Sequence, residues 1–122
     1  LDKNIVFVAA AGNEGKSYKD QTYYPAMYHK NIIVVGNLAE DEYGEVIRAP
    51  SSNYGKEVDL QVFGTDIESI NKVKMTGTSQ STAIVTGRIA QHVKAYRLTE
   101  TIRKISDQGR DNYYSPLYKF ME

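Results

Sequence analysis

The sequence predicts an α/β domain built on a mostly parallel sheet flanked by helices. Three observations carry that expectation. Residues 5–10 (IVFVAA) form a continuous apolar run rich in β-branched side chains, and residues 32–35 (IIVV) repeat it. After Ser79 the apolar positions change to spacings of three and four. Continuous rather than alternating apolarity marks strands covered on both faces, as parallel strands are. Strands of that kind followed by a helical pattern define the class.

The elements follow in order. Residues 5–10 make the first strand, and a polar, tyrosine-rich connection over 13–31, containing Pro25, leads to the second at 32–35. Residues 40–44 (EDEYG) read as a turn, 46–47 as a short strand and 51–55 (SSNYG) as a loop. Residues 58–63 form a further strand, and 67–70 with 73–75 pair as a short hairpin leading into Gly77. Ala83, Val85, Ile89, Ala90, Val93 and Tyr96 then fall on one helical stripe. Gly87 interrupts it at a cost of about 1 kcal/mol against Ala, so a close approach to a neighbouring sheet is expected there. Thr99 caps a second helix with Ile102 and Ile105, ending near Gly109, and the aromatic tail over 111–122 docks onto the rest.

Composition removes several function classes. Fifteen basic and fifteen acidic residues leave no net charge, which argues against nucleic acid as a partner. The longest apolar runs fall far short of the ~20 residues of a membrane-spanning helix. With no cysteine there is no disulfide scaffold, no cysteine nucleophile and no thiolate zinc site. By length the chain, residues 1–122, is one domain.

Two segments carry chemistry. Ala9-Ala10-Ala11-Gly12-Asn13-Glu14-Gly15 directly follows a buried strand, and Gly77-Thr78-Ser79-Gln80-Ser81-Thr82-Ala83 opens a helix. A serine in the first turn of a helix sits among unpaired N–H donors and at the positive end of the dipole. It can act as a nucleophile and, through its own N–H, as half of an oxyanion hole. Serine is equally at home there as an N-cap. Asn13 could supply the second oxyanion donor, or serve only as a turn residue between glycines.

These segments resemble blocks of the subtilisin-like serine proteases, the subtilases. IVFVAAAGNEG is similar to the family's oxyanion-asparagine segment, and TGTSQSTAIVTG to its nucleophile motif, GTSMATPxxxG. Between them YPAMYHKNIIVVGN resembles YPA…V.aVGA, SSNYGKEVDL resembles sFSnyG..vDl, and VFGTDIESI resembles aPG..i.St. Five blocks in family order cover residues 4 to about 93. The resemblance implies that Ser79 is the nucleophile and Asn13 the oxyanion-hole side chain. It also implies that Ala9, Ala10, Ala11 and Gly12 line a wall of the primary specificity pocket, with Gly77 and Thr78 beside the substrate. Among the departures from the pattern, Gln80 replaces Met, Ala83 replaces Pro and Phe63 replaces Pro.

A serine nucleophile needs a histidine base and an orienting acid. His92 lies 13 residues beyond Ser79 on the same helix, about 20 Å away along the axis. His29 lies in the connection where the family pattern places no base. In the subtilisin order of Asp, His, Ser, both partners precede the oxyanion segment. The resemblance therefore implies the C-terminal part of a catalytic domain, with Asp and His in a missing N-terminal part of the same domain. The substrate would be a peptide or protein, cleaved through an acyl-enzyme by the whole protein, the chain alone being inactive. A non-catalytic subtilase-like interaction module or degenerate homologue is the alternative. The chemistry requires no cofactor. A structural calcium is compatible with the family but no ligand pattern assigns it, and a secreted or cell-envelope location follows from the resemblance only. An α/β-hydrolase is excluded because Gly77-Thr78-Ser79-Gln80-Ser81 lacks the second glycine of G-x-S-x-G. A Rossmann site is excluded because AAAGNEG lacks the G-x-G-x-x-G spacing.

A parallel sheet separated from its neighbours should expose apolar surface, so the chain is expected to dimerise through it. Light scattering behind a sizing column should give a mass above 13.7 kDa; a monodisperse monomer would count against the expectation.

Overall fold

The computed structural model describes residues 5–92. Its elements are β1 (Val8–Ala10), β2 (Ile33–Glu40), β3 (Val46–Arg48), β4 (Leu60–Phe63), β5 (Ile67–Glu68), a 3-10 turn (Ile70–Lys72), β6 (Lys74–Met75) and α1 (Thr78–His92). β2 is the hub of the sheet. It pairs in parallel with β1 from Val8–Ile33 to Ala10–Val35, and in parallel with β4 from Val35–Leu60 to Leu38–Phe63. β3 runs antiparallel along its far end, Leu38 to Glu40. β5 and β6 form a separate antiparallel hairpin.

Side chains alternate across a strand, so the apolar run that opens β2 must be covered on both faces. On one face Ile33 and Val35 pack with Leu60, Val62, Val85 and Ile89, which places α1 across β1, β2 and β4. On the other, Val34 and Ile32 pack with Ala9, Ala11, Tyr18, Ala26 and Val58. Tyr23 and Met27 lie against this second cluster, with the Tyr18 and Tyr23 rings 5.5 Å apart. Among the described residues, then, one helix flanks the sheet, and the tyrosine-rich connection covers the opposite face. Burying Val85 and Ile89 contributes about 1.5–3 kcal/mol each. A 15-residue helix is marginal alone, so this face is what holds α1 in place.

Several boundaries differ from the expected ones for local reasons. β1 starts at Val8 rather than residue 5, because its pairing with β2 begins at Ile33, whose N–H reaches the Phe7 carbonyl at 2.9 Å. Ile5 and Phe7 are 52% and 47% exposed. β2 extends to Glu40 because β3 and β4 both pair along it. β4 starts at Leu60 because the Asp59 carboxylate takes the Val34 N–H at 2.9 Å. The buried stripe of α1 is Ser81, Val85 and Ile89, whereas Ala83 and Ala90 are exposed. Val93 and Tyr96, the second helix from Thr99 and the aromatic tail lie outside the described residues.

The close approach expected at Gly87 is not there. Gly87 is exposed, and a methyl group added to it meets nothing within 4 Å among the described residues. Gly87→Ala should therefore stabilise the fold by about 0.5–1 kcal/mol, through helix propensity alone. The denaturation midpoint should rise with an unchanged slope; a lower midpoint would mean that this face carries a contact.

Candidate active site

The loop over 11–16 leaves the carboxyl end of β1, and α1 starts beside it. Open parallel sheets form binding crevices at this edge. The loop is built against a second one, residues 51–54, by backbone bonds: Gly15 N to Ser51 O, Asn53 N to Gly12 O, Tyr54 N to Lys16 O and Tyr18 N to Tyr54 O. Asn53, almost fully buried, fills the space between them. Its Oδ1 accepts the N–H groups of Glu14 (3.2 Å) and Lys16 (2.9 Å). Its Nδ2 donates to the Ala11 carbonyl at 2.9 Å. The same carbonyl accepts the Tyr18 hydroxyl at 2.6 Å. Burial, and secondarily the Glu57 carboxylate, raises the Tyr18 pKa above its ordinary value, so this donor stays protonated. Gly12 has φ +105°, and a side chain there would collide with the Asn53 amide. Arg48 braces the second loop through the Ser52 carbonyl at 2.6 Å, with its guanidinium 4.3 Å from the centre of the Tyr54 ring.

Thr78, fully buried at the start of α1, joins this loop to the helix. Its N–H donates to Asn13 Oδ1 at 2.9 Å, and its hydroxyl donates to the same oxygen at 3.1 Å. The hydroxyl also accepts the Gly12 N–H at 3.1 Å. The Asn13 amide lies against Gly77, with both Oδ1 and Nδ2 3.4 Å from where a side-chain carbon would stand. Asn13 is exposed, and with Oδ1 taken twice its Nδ2 is the remaining donor, making no hydrogen bond among the described residues.

Ser79 is exposed, one residue inside α1. Gly77 precedes the helix, so Ser79 is a first-turn residue rather than an N-cap. Its N–H belongs to the first-turn donors that have no partner within the helix. No acidic side chain lies in that turn to offset the positive dipole end. The structure thus brings the Asn13 amide and the first turn carrying Ser79 together, across 65 residues of sequence.

The remaining predicted site residues are placed as follows. Ala10 and Gly12 keep some exposed surface, while Ala9 and Ala11 are buried in the sheet. Gly77 and Thr78 are buried behind Asn13. Gln80, where the family pattern has Met, approaches Met75 of β6, its Nε2 lying 3.9 Å from Sδ. His29 is exposed in the connection, its Nδ1 accepting the Asn31 N–H at 3.0 Å. Among the described residues no group of three or more His, Cys, Asp or Glu could hold a metal ion, and no helix is long and apolar enough to cross a membrane.

Sequence reasoning missed Asn53 and the joining role of Thr78. Asn53 sits in SSNYG, where turn chemistry explains an Asn without any partner. The one available signal was that two Gly/Asn loops each follow an apolar run.

Asn53→Ala should cost about 1–3 kcal/mol, since the Glu14 and Lys16 N–H groups lose their side-chain acceptor and the Ala11 carbonyl keeps only the Tyr18 hydroxyl. Chemical denaturation measures this. A change below about 0.5 kcal/mol, the usual surface effect, would contradict it.

A model of the subtilase family matches residues 1–106. Subtilisin-like protease 10 of Arthroderma otae is 39% identical over 90 residues, covering 70% of this chain and 21% of that protein. Halolysin of Haloferax mediterranei is 38% identical over 85 residues, covering 66% and 15%. Subtilisin E of Bacillus subtilis is 33% identical over 91 residues, covering 74% and 23%. The chain thus spans about a fifth of the length of the curated relatives it matches. A lanthipeptide protease of solved structure superimposes with a TM-score of 0.60 at 16% identity, over 87% of this chain and 42% of that one, a likeness of fold.

Proposed function

Because the chain belongs to the subtilase family, we propose that it carries the nucleophile and the oxyanion hole of a serine endopeptidase. Ser79 Oγ attacks the scissile carbonyl and forms an acyl-enzyme. The negative oxygen of the tetrahedral intermediate is held by Asn13 Nδ2 and the Ser79 N–H. The observation that carries this reading is the double tie of Asn13 Oδ1 to Thr78, which leaves the other end of the amide as a fixed donor beside the first turn of α1. A fixed donor suits catalysis because it need not reorganise as charge develops.

The accessible backbone of Ala10 and Gly12 forms part of the wall against which a peptide substrate lies. The histidine base and its acid come from a part of the protein outside this chain. Neither His29 nor His92 fits the role: His29 belongs to the connection, and His92 sits 13 residues along the helix from Ser79, about 20 Å at ~1.5 Å per residue. The reaction requires no cofactor, and a structural calcium is assigned to no residue here. A secreted or cell-envelope location rests on family membership.

The test is active-site labelling with a fluorophosphonate of the protein as its complete gene encodes it. Ser79 should become phosphonylated, and Ser79→Ala should abolish both label and peptide hydrolysis. Asn13→Ala should lower kcat by about 10²–10³-fold with KM little changed, the factor that the oxyanion asparagine of a subtilisin is worth. The 122-residue chain alone should hydrolyse peptides no faster than its Ser79→Ala variant. A Ser79 that stays unlabelled in the complete protein would sink the protease reading and leave a non-catalytic interaction module.

A further inference from the structure

Beneath the first turn of α1 lies a polar cluster that the proposed chemistry does not use. Asn37, in the middle of β2, and Ser81, on the buried face of α1, are both fully inaccessible. Asn37 Oδ1 accepts the Gly64 N–H at 2.7 Å and lies 3.3 Å from Ser81 Oγ. The single Ser81 proton is shared with the Val62 carbonyl, 3.0 Å away. Asn37 Nδ2 donates to Thr65 Oγ1 at 3.2 Å, and Thr65 donates onward to the Leu38 carbonyl at 3.0 Å. The Asn37 backbone N–H goes to Ser52 Oγ at 3.0 Å.

Gly64 makes this cluster relevant to the site. Its carbonyl accepts the Gly77 N–H at 3.0 Å, directly before Thr78. A side chain on Gly64 would collide with Ser81 Oγ and come within 2.6 Å of the Gly77 carbonyl and 2.8 Å of the Ser81 N. The backbone after β4 is therefore in contact with the backbone that opens α1. A continuous path runs from Asn37 Oδ1 to the Gly64 peptide, to the Gly77 N–H, to Thr78, and so to Asn13 Oδ1. In the two family patterns that these segments resemble, VGA and GTSMA, alanine stands where this chain has Asn37 and Ser81. The two polar residues that meet in space thus replace two alanines together.

We infer that Asn37, with Ser81, is a positioning residue for the oxyanion hole. It pins the Gly64 peptide, and through it the height of Gly77 and Thr78, so that Asn13 and the Ser79 N–H address the same oxygen. The inference rests on the proposed function for its catalytic meaning, but its structural content can be read without it.

The experiment is amide hydrogen exchange followed by NMR on the 122-residue chain, comparing Asn37→Ala, Ser81→Ala and Thr65→Ala. A purely structural role would speed the exchange of all core amides together. A positioning role speeds the Gly77 and Thr78 amides by about tenfold beyond the β2 and β4 amides, by local opening of the first turn. Asn37→Ala should show that excess, Ser81→Ala a smaller one, and Thr65→Ala none, because it leaves the Gly64 and Ser81 contacts of Asn37 intact. If Asn37→Ala does not fold, Ser81→Ala decides on the same readout. Gly77 and Thr78 exchanging in step with the core in these variants would overturn the inference. In the complete protein, fluorophosphonate labelling of Ser79 should slow about tenfold in Asn37→Ala and stay unchanged in Thr65→Ala; equal rates in the two would also overturn it. A wild-type protein that takes no label would instead overturn the protease reading, with the exchange data still deciding the linkage.

Discussion

Thr78 makes two hydrogen bonds to one oxygen, Asn13 Oδ1, and the rest of the structure is arranged so that they can form. One partner sits at the end of a loop leaving a sheet, the other at the start of a helix. Each segment has to be rigid before the pair can be. The loop is made rigid by Asn53, Tyr18 and the backbone bonds to residues 51–54. The helix is held by Val85 and Ile89 on the sheet and by the contact of Gly64 with Gly77 and Ser81. A donor held in this way pays its ordering cost during folding rather than during reaction, which is what the proposed oxyanion role would require.

The same design explains an unusual share of polar side chains in the interior. Asn37, Ser52, Asn53, Thr78 and Ser81 are at most 1% exposed. An unpaired amide or hydroxyl there would cost kilocalories, so each is engaged by a named partner. In a low-dielectric surrounding such networks favour one arrangement of the backbone strongly over its neighbours. Apolar packing alone would hold α1 on the sheet but would tolerate sliding along it. The hydrogen bonds of Asn37 and Ser81 fix its depth.

Much of the scaffold was legible because hydrophobic periodicity reports local burial. The runs 5–10 and 32–35 did mark β1 and β2, the hairpin and β3 were where turn chemistry put them, and α1 begins within a residue of Ser79. What misled was context beyond periodicity. Ile5 and Phe7 have the composition of a strand but precede Val8, where the paired register with β2 begins among the described residues. Ala83 and Ala90 fit a stripe by spacing and face solvent, and Gly87 approaches no neighbour among the described residues. Of the candidate site, the sequence singled out the two segments that the fold brings together, Asn13 and the first turn carrying Ser79, while the roles of these residues belong to the proposed function. Asn53, Asn37 and Ser81 were illegible, since a polar residue's partners lie wherever the topology brings them, 27 to 44 positions away in the chain for the Asn37 side chain.

The most direct test of the account is a structure of the complete protein phosphonylated on Ser79, because the phosphonyl oxygen stands where the oxyanion develops. That oxygen should lie about 2.7–3.1 Å from both Asn13 Nδ2 and the Ser79 N–H nitrogen, with Asn13 Oδ1 still held by Thr78. An oxygen turned away from Asn13, or an Asn13 amide released from Thr78, would contradict it.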